Sequence, residues 1–345
     1  MRKYRLASLF SGAGGFDLGF EASGRWETAV ANDSHPAMCE TLRLNRGIEL
    51  GAHKFLENTE IIEGDIQRVH QSISQHGSVD LVLGGPPCQS FSTMGKQVGY
   101  ADDRGNLIFE FAKVVENSRP AFFLFENVPN MKTGKWKLQF QEYLDYLRFD
   151  GAYSVSSFLL CCADFGAATI RKRVFIVGTK AELAIKMTPP LQTNQQLGRG
   201  TLLGQLPNWK TVAEAFEGLP DPVQIFDRPF LHFSPQHDPE TIERFKKLGY
   251  GETDPKRKRD RLDPREPSLT LMSGGEAGGT RAHIHPFEPR EITLREAARI
   301  HGFPDHYTFS GNKSQIAIQI SNSVPVPMGG AWATHLANYL DELAI

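Results

Sequence analysis

The sequence has few cysteines and none in a zinc-binding arrangement. Cys39, Cys88, Cys161 and Cys162 include no Cys-x-x-Cys pair, so a zinc site is not expected. Cys161 and Cys162 are adjacent and do not suit a bridge to each other, which points to free thiols in a reducing cytosol. No apolar run approaches the roughly 20 residues of a membrane span. The first apolar stretch breaks at Gly12, too early for a signal peptide. A protein of the cytoplasm with no membrane partner is the expectation. Charge of one sign is also missing: 38 Lys and Arg face 40 Asp and Glu, a net charge of -2. A nucleic-acid partner would therefore need basic groups gathered on one face. Internal repeats and long low-complexity tracts are absent too.

What remains is an ordinary globular composition, 40% hydrophobic and 23% charged. A length of 345 residues points to two domains, or to one large domain with an insertion, and suffices for a sizeable core. Up to residue 180, short apolar runs alternate with helical patterns. Strands are predicted at 5–10, 26–33, 60–66, 79–85, 120–127 and 173–180, with helices at 16–22, 35–46 and 106–117. Continuous apolar strands separated by helices predict an α/β fold with a mostly parallel, doubly wound sheet. Near residue 188 the texture changes. From there to about 288 the chain is rich in Pro, Gly, Gln and charge, with helical periodicity only around 240–249, which predicts an irregular second domain. Helical pattern returns at 292–302 and in the last fifteen residues.

Four motifs carry chemistry. FSGAGGFDLGF (10–20) reads as a glycine turn between a strand and a helix, where backbone N–H groups can approach a ligand. Asp17 stands where a dinucleotide fingerprint would need glycine. Asp33 lies 21 residues beyond Gly12 at the end of the second strand, where an acid can bind ribose hydroxyls. Asp65 ends the third strand, a place to meet an adenine amino group. A helix N-cap is the competing reading for both acids. In GGPPCQSFS (84–92), two prolines fix the chain before Cys88 at a strand end. A small buried thiol is the alternative there. The glycines at 95, 99 and 105 suit a lid over 89–106. Glu126 ends the apolar strand of FFLFENVPN; partial desolvation would raise its pKa and let it donate a proton. A surface acid is the alternative. Arg171 and Arg173 alternate on one side of an extended entry and suit phosphate or carbonyl oxygens, or else a solvated strand entry.

In combination, the sequence resembles the DNA cytosine-5 methyltransferase family. FSGAGGF, GDI, GGPPCQSFS, FENV, RKRVFIVG, REITLREAARIHGFPD (290–305) and QISNSVPVP (319–327) keep that family's order and approximate spacing over almost the whole chain. The resemblance implies a Rossmann-like S-adenosylmethionine-dependent methyltransferase domain over 1–188, completed by 316–345. It also implies a smaller target-recognition domain over 189–288 and a hinge with a scaffold helix over 289–315. Phe10, Gly12, Gly14, Gly15 and Phe16 would line the S-adenosylmethionine site, with Pro86. Asp33 would hold the ribose, and Asp65 with Ile66 the adenine. Leu107 and the Asn322–Ser323 turn would close the pocket. Cys88 would be the nucleophile. Glu126 would face ring nitrogen 3 and the amino group of a flipped cytosine, and Arg173 its carbonyl oxygen with Arg171 in support. Gln89, Ser90, Ser92 and Lys96, with the basic run Lys256, Arg257, Lys258, Arg259 and Arg261, would contact DNA. His283 and His285 are too isolated for metal ligands.

The sequence departs from the family pattern at four places: Asp33 for Glu, Ser34 for Trp, Thr169 for Gln and Ser321 for Gly. The implied partners are duplex DNA and a restriction endonuclease of the same site, with the protein itself a monomer. Three other readings stay open: a tRNA cytosine-5 methyltransferase, a nicotinamide-dependent oxidoreductase, and a catalytically silent DNA-binding relative.

Overall fold

The computed structural model describes residues 3–87, 107–133, 136–196, 206–224, 230–273, 280–281 and 283–343. Apolar runs such as FFLF and VFIV can be buried on both faces, and the chain uses them at the centre of a seven-stranded sheet. Its strands are β1 (Tyr4–Leu9), β2 (Trp26–Asp33), β3 (Glu60–Glu63), β4 (Leu81–Gly84), β5 (Phe122–Asn127), β6 (Tyr153–Cys161) and β7 (Lys172–Lys180). Their order is β3-β2-β1-β4-β5-β7-β6. From β3 to β5 all pairings are parallel, and β7 runs antiparallel to β5. Helices α1 (Gly15–Ala22), α2 (Pro36–Asn45), α3 (Ile66–Ser74), α4 (Leu107–Ser118) and α5 (Lys137–Tyr146) lie among these strands in the chain. Phe122, Phe123, Leu124 and Phe125 are all fully buried, each contributing roughly 1.5–3 kcal/mol.

The chain divides into two compact units. The first holds Met1–Leu160, Lys172–Leu191 and Gly329–Ile345; the second holds Cys161–Arg171 and Gln192–Met328. The second unit thus reaches beyond the 189–288 segment, taking in 161–171 and 289–328. It carries α6 (Val212–Phe216), α7 (Pro239–Lys247), α8 (Leu294–Ile300) and α9 (Lys313–Asn322), a few two-residue strands, and isolated bridges. Helix α10 (Val326–Leu343) ends the chain, and in the first unit its Ala333 carbonyl accepts the indole N–H of Trp26 at 2.8 Å. Among the described residues no helix is long and apolar enough to cross a membrane.

Most predicted elements are present within a few residues. The third strand is shorter than 60–66, because Gly64 and Asp65 turn the chain into α3. Helix α5 and strand β6 have no counterpart among the predictions. The strand is mostly half-buried, with no alternation to mark it, and lacks the burial on both faces that marks the central strands.

Candidate active site

Five parallel strands end on one edge, and the motifs of the first unit gather there. After β1 the chain turns through left-handed backbone at Phe10 (φ 55°), Gly12 (φ 56°) and Gly14 (φ 71°). Two of the three are glycine, which adopts this conformation without a Cβ penalty; Phe10 does not have that freedom. The turn is held from β2: Ser11 N–H donates to the Asn32 carbonyl and Gly12 N–H to Asp33 Oδ2, both at 2.9 Å. Gly14 precedes α1 with no side-chain cap, and the helix start carries a positive dipole end. Gly15 opens that helix and is buried. The Phe16 ring turns into the core instead, edge-on to Phe20 and Phe175 at 5.4 and 6.2 Å.

Asp33 is buried, and its second oxygen accepts His35 N–H at 2.9 Å. Burial holds its pKa above the ordinary carboxylate value. It does not cap α2; the His35 imidazole does. Asp65 is an N-cap, accepting Gln67 N–H at 3.0 Å, and it is exposed just beyond the end of β3, with Ile66 buried behind it. Leu107 opens α4, half-buried. Asn322 ends α9 in the second unit, and Ser323 is its C-cap, with Oγ bonded to the Ile320 carbonyl and the His301 ring. The first unit suits S-adenosylmethionine: carboxylates for hydroxyl and amino hydrogens, and the positive dipole end of α1 for a carboxylate.

Glu126 lies next to the end of β5, on the antiparallel boundary with β7. Phe175 is its cross-strand partner, so Arg173, two residues earlier on the same face, is a diagonal neighbour. Arg173 Nε comes to 2.8 Å from Glu126 Oε1, and both side chains are nearly buried. On the other side β4 runs parallel, with Gly84 opposite Phe125. A Cβ added to Gly85 would stand 3.1 Å from Glu126 Oε2, so the carboxylate rests against the Gly-Gly-Pro-Pro turn. Asn127 donates to the carbonyl of buried Pro86 at 3.4 Å. Cys88, Gln89, Ser90, Ser92 and Lys96, with the rest of 89–106, lie outside the described residues.

The two arginines of the RKR motif have different partners. Arg171 belongs to the second unit and donates to the carbonyls of Ser321 and Asn322 at 2.8 and 3.1 Å. It braces the end of α9 through these two bonds. The basic run is also largely engaged at home. Arg261 clamps the carbonyls of Leu248 and Pro286 at 2.7 and 2.9 Å. Arg257 and Arg259 both approach Glu291 at 3.6 Å, and Lys256 pairs with Glu240. Lys258 is exposed. His285 stacks on Phe216 with ring centroids 5.4 Å apart, and burial pushes its pKa down to about 4. In the scaffold segment, Thr293 and Glu296 form a capping box on α8, and Arg290 grips both Glu296 oxygens.

Two buried carboxamides at this edge, Asn32 and Asn127, were not singled out by sequence reasoning. The available signal was a polar residue ending an apolar strand, which in a buried edge must be hydrogen-bonded.

Among solved structures, a prophage-encoded E. coli protein described as a DNA modification methyltransferase overlays with a TM-score of 0.76 at 25% identity, covering 98% of this chain and all of that one. The Dnmt2 methyltransferase of S. pombe overlays at 0.66 with 15% identity across the full length of both chains, a likeness of fold. The class is therefore a methyltransferase of Rossmann-like α/β fold, an enzyme that works with a methyl donor. The family is narrower. The model for C-5 cytosine-specific DNA methylase matches residues 4–338, and this chain belongs to that family. It is 33% identical over 336 residues to the Type II methyltransferase M.NgoFVII of Neisseria gonorrhoeae, covering 95% of this chain and 84% of that one. It is 39% identical over 231 residues to M.AquIA of Picosynechococcus, covering 63% and 89%.

Proposed function

We propose that this protein is a type II restriction–modification DNA (cytosine-5-)-methyltransferase. It transfers a methyl group from S-adenosylmethionine to carbon 5 of a cytosine extruded from a specific duplex sequence. The observation that carries the site is the Glu126–Arg173 pair, packed against the turn that leads into Cys88. Carbon 5 of cytosine is a poor nucleophile. Attack of the Cys88 thiolate on carbon 6 forms the sulfur–carbon bond and moves electron density to carbon 5. Glu126 holds ring nitrogen 3 and the amino group, and Arg173 holds the carbonyl oxygen where negative charge gathers. When bound, S-adenosylmethionine supplies the electrophilic methyl carbon. A base, with water the simplest candidate, then takes the proton from carbon 5 and the thiolate leaves. Extrusion of the base from the stack costs a few kcal/mol, about what contacts to the opened duplex can offset.

On the donor side, the loop at Phe10, Gly12, Gly14, Gly15 and Phe16, with Asp33, Asp65, Ile66, Pro86 and Leu107, is the holding set of the first unit. The protein acts as a cytoplasmic monomer on nucleoid DNA, and a restriction endonuclease of the same specificity is its genetic partner. The relatives' Type II names support that reading. The test is methyl transfer to duplex DNA and to tRNA in parallel, with bisulfite sequencing of DNA from expressing cells. Duplex with 5-fluorocytosine at the modified position should trap a covalent complex, because fluorine at carbon 5 leaves no proton to remove. An active enzyme that traps nothing would refute the mechanism, and transfer to tRNA alone would refute the substrate.

A further inference from the structure

We infer that Asn32 is the positioning residue that joins the two halves of the methyl-donor site, the glycine loop after β1 and the turn after β3. The inference rests on the donor site assigned above and concerns how that site is held in shape. Asn32 is buried in β2, between the two segments it would join. Its Nδ2 donates to the Ile62 carbonyl at 2.9 Å and to the Gly64 carbonyl at 3.0 Å. The Gly64 carbonyl immediately precedes Asp65 and Ile66, and the Ile62 carbonyl lies two residues earlier, in β3. Its main-chain oxygen, on the other side, accepts Ser11 N–H from the glycine loop at 2.9 Å.

Asp33 repeats the pattern with its two ends exchanged. Its side chain accepts Gly12 N–H from the loop, while its main-chain oxygen accepts Gly64 N–H at 3.0 Å. The dipeptide therefore stitches both neighbours to β2, once with each side chain and once with each backbone. Only a primary amide suits the Asn32 position. Two carbonyl oxygens converge on one side-chain atom, and that atom must present two hydrogens. A hydroxyl has one. A carboxylate has none and would set a negative oxygen against two carbonyls.

Asn32→Asp tests this. Calorimetry with S-adenosylhomocysteine should give a dissociation constant raised about tenfold or more. kcat at saturating donor and duplex affinity should stay within about twofold of the parent. Lowering the pH should restore part of the binding in the variant and not in the parent, because a neutral carboxyl regains one donor. An unchanged dissociation constant, or a fall in kcat with binding intact, would overturn the inference. Failure of the parent to bind S-adenosylhomocysteine would instead sink the donor-site reading itself. If the variant does not fold, hydrogen exchange on the parent decides. The Ser11, Gly12 and Gly64 amides should exchange as one unit and slow together on ligand binding; independent exchange would reject the coupling.

Discussion

Two regions of this protein concentrate polar side chains, and they treat them differently. At the strand-end edge of the first unit, carboxylates are held in place by few donors, and their oxygens keep lone pairs over for further hydrogen bonds. Asp33 is fixed by two backbone N–H groups, and Glu126 by a single guanidinium. In the second unit the conspicuous KRKRDR run looks like an open basic patch in sequence, yet Arg257, Arg259 and Arg261 answer to Glu291 and to backbone carbonyls. A charge held by a rigid scaffold with spare hydrogen-bonding capacity is equipped for chemistry. A charge whose partners are all local is equipped to hold an irregular loop in shape. Local density of charge alone does not separate the two.

The largest effect that would sharpen this contrast is at the nucleophile. Cys88→Ala should lower methyl transfer by about 10⁴-fold or more while leaving donor binding intact by calorimetry. Normal turnover would remove the chemistry from this edge. Next comes Arg173→Ala, which leaves the Glu126 carboxylate buried without its cation. It should destabilise the protein by about 3–5 kcal/mol in chemical denaturation and lower kcat by about 10²-fold or more. If neither changes, the pair is ornamental.

A third expectation concerns acids buried behind the glycine loop. Burial pushes Asp17 up to about 6 and Glu21 up to about 7. Both ionise near their ordinary values in the unfolded chain, so the folded state binds more protons across this window. Stability should fall as pH rises from about 4 to about 7 and then level, by about 3 kcal/mol for Asp17. Asp17→Asn should therefore stabilise at pH 8 and be near neutral at pH 4, as read from denaturation midpoints; the same change at both pH values would contradict the burial argument. The smallest effect is in the second unit, at the basic run. Lys258→Ala should weaken duplex binding modestly and lower the salt slope by roughly one, without altering stability. Arg261→Ala should do the reverse, costing about 1–3 kcal/mol of stability through the carbonyls it leaves unpaired. Equal behaviour of the two would erase the distinction between engaged and exposed cations.

Much of the first unit was legible because its signals are local. Apolar runs gave β5 and β7 almost residue for residue, the mixed segment ending in an acid gave β2, and glycine spacing gave the loop before α1. Glu126 and Arg173 were readable as strand-end groups, but their 2.8 Å approach depends on an antiparallel register that no local pattern encodes. The bonds of Arg171 to the end of α9, some 150 residues away, have no local signal in the sequence. Asp65 settled as a helix cap because the strand stopped two residues before it. Strand β6 and helix α5 went unseen because mixed burial blurs their periodicity.

By itself, the sequence determined the class of chemistry: the order of seven motifs, the thiol after two prolines, and the strands that carry an acid and an arginine to one edge. Those are properties of composition and spacing along the chain. Only the tertiary structure decided which polar groups are already occupied, that Asn32 and Asp33 knit three strand ends together, and that the basic run is mostly neutralised in place. The reason is physical. A strand's tendency to form is carried by neighbouring residues, whereas the fate of a buried hydrogen-bonding group depends on whichever distant carbonyl, amide or carboxylate packing brings within 3 Å or so.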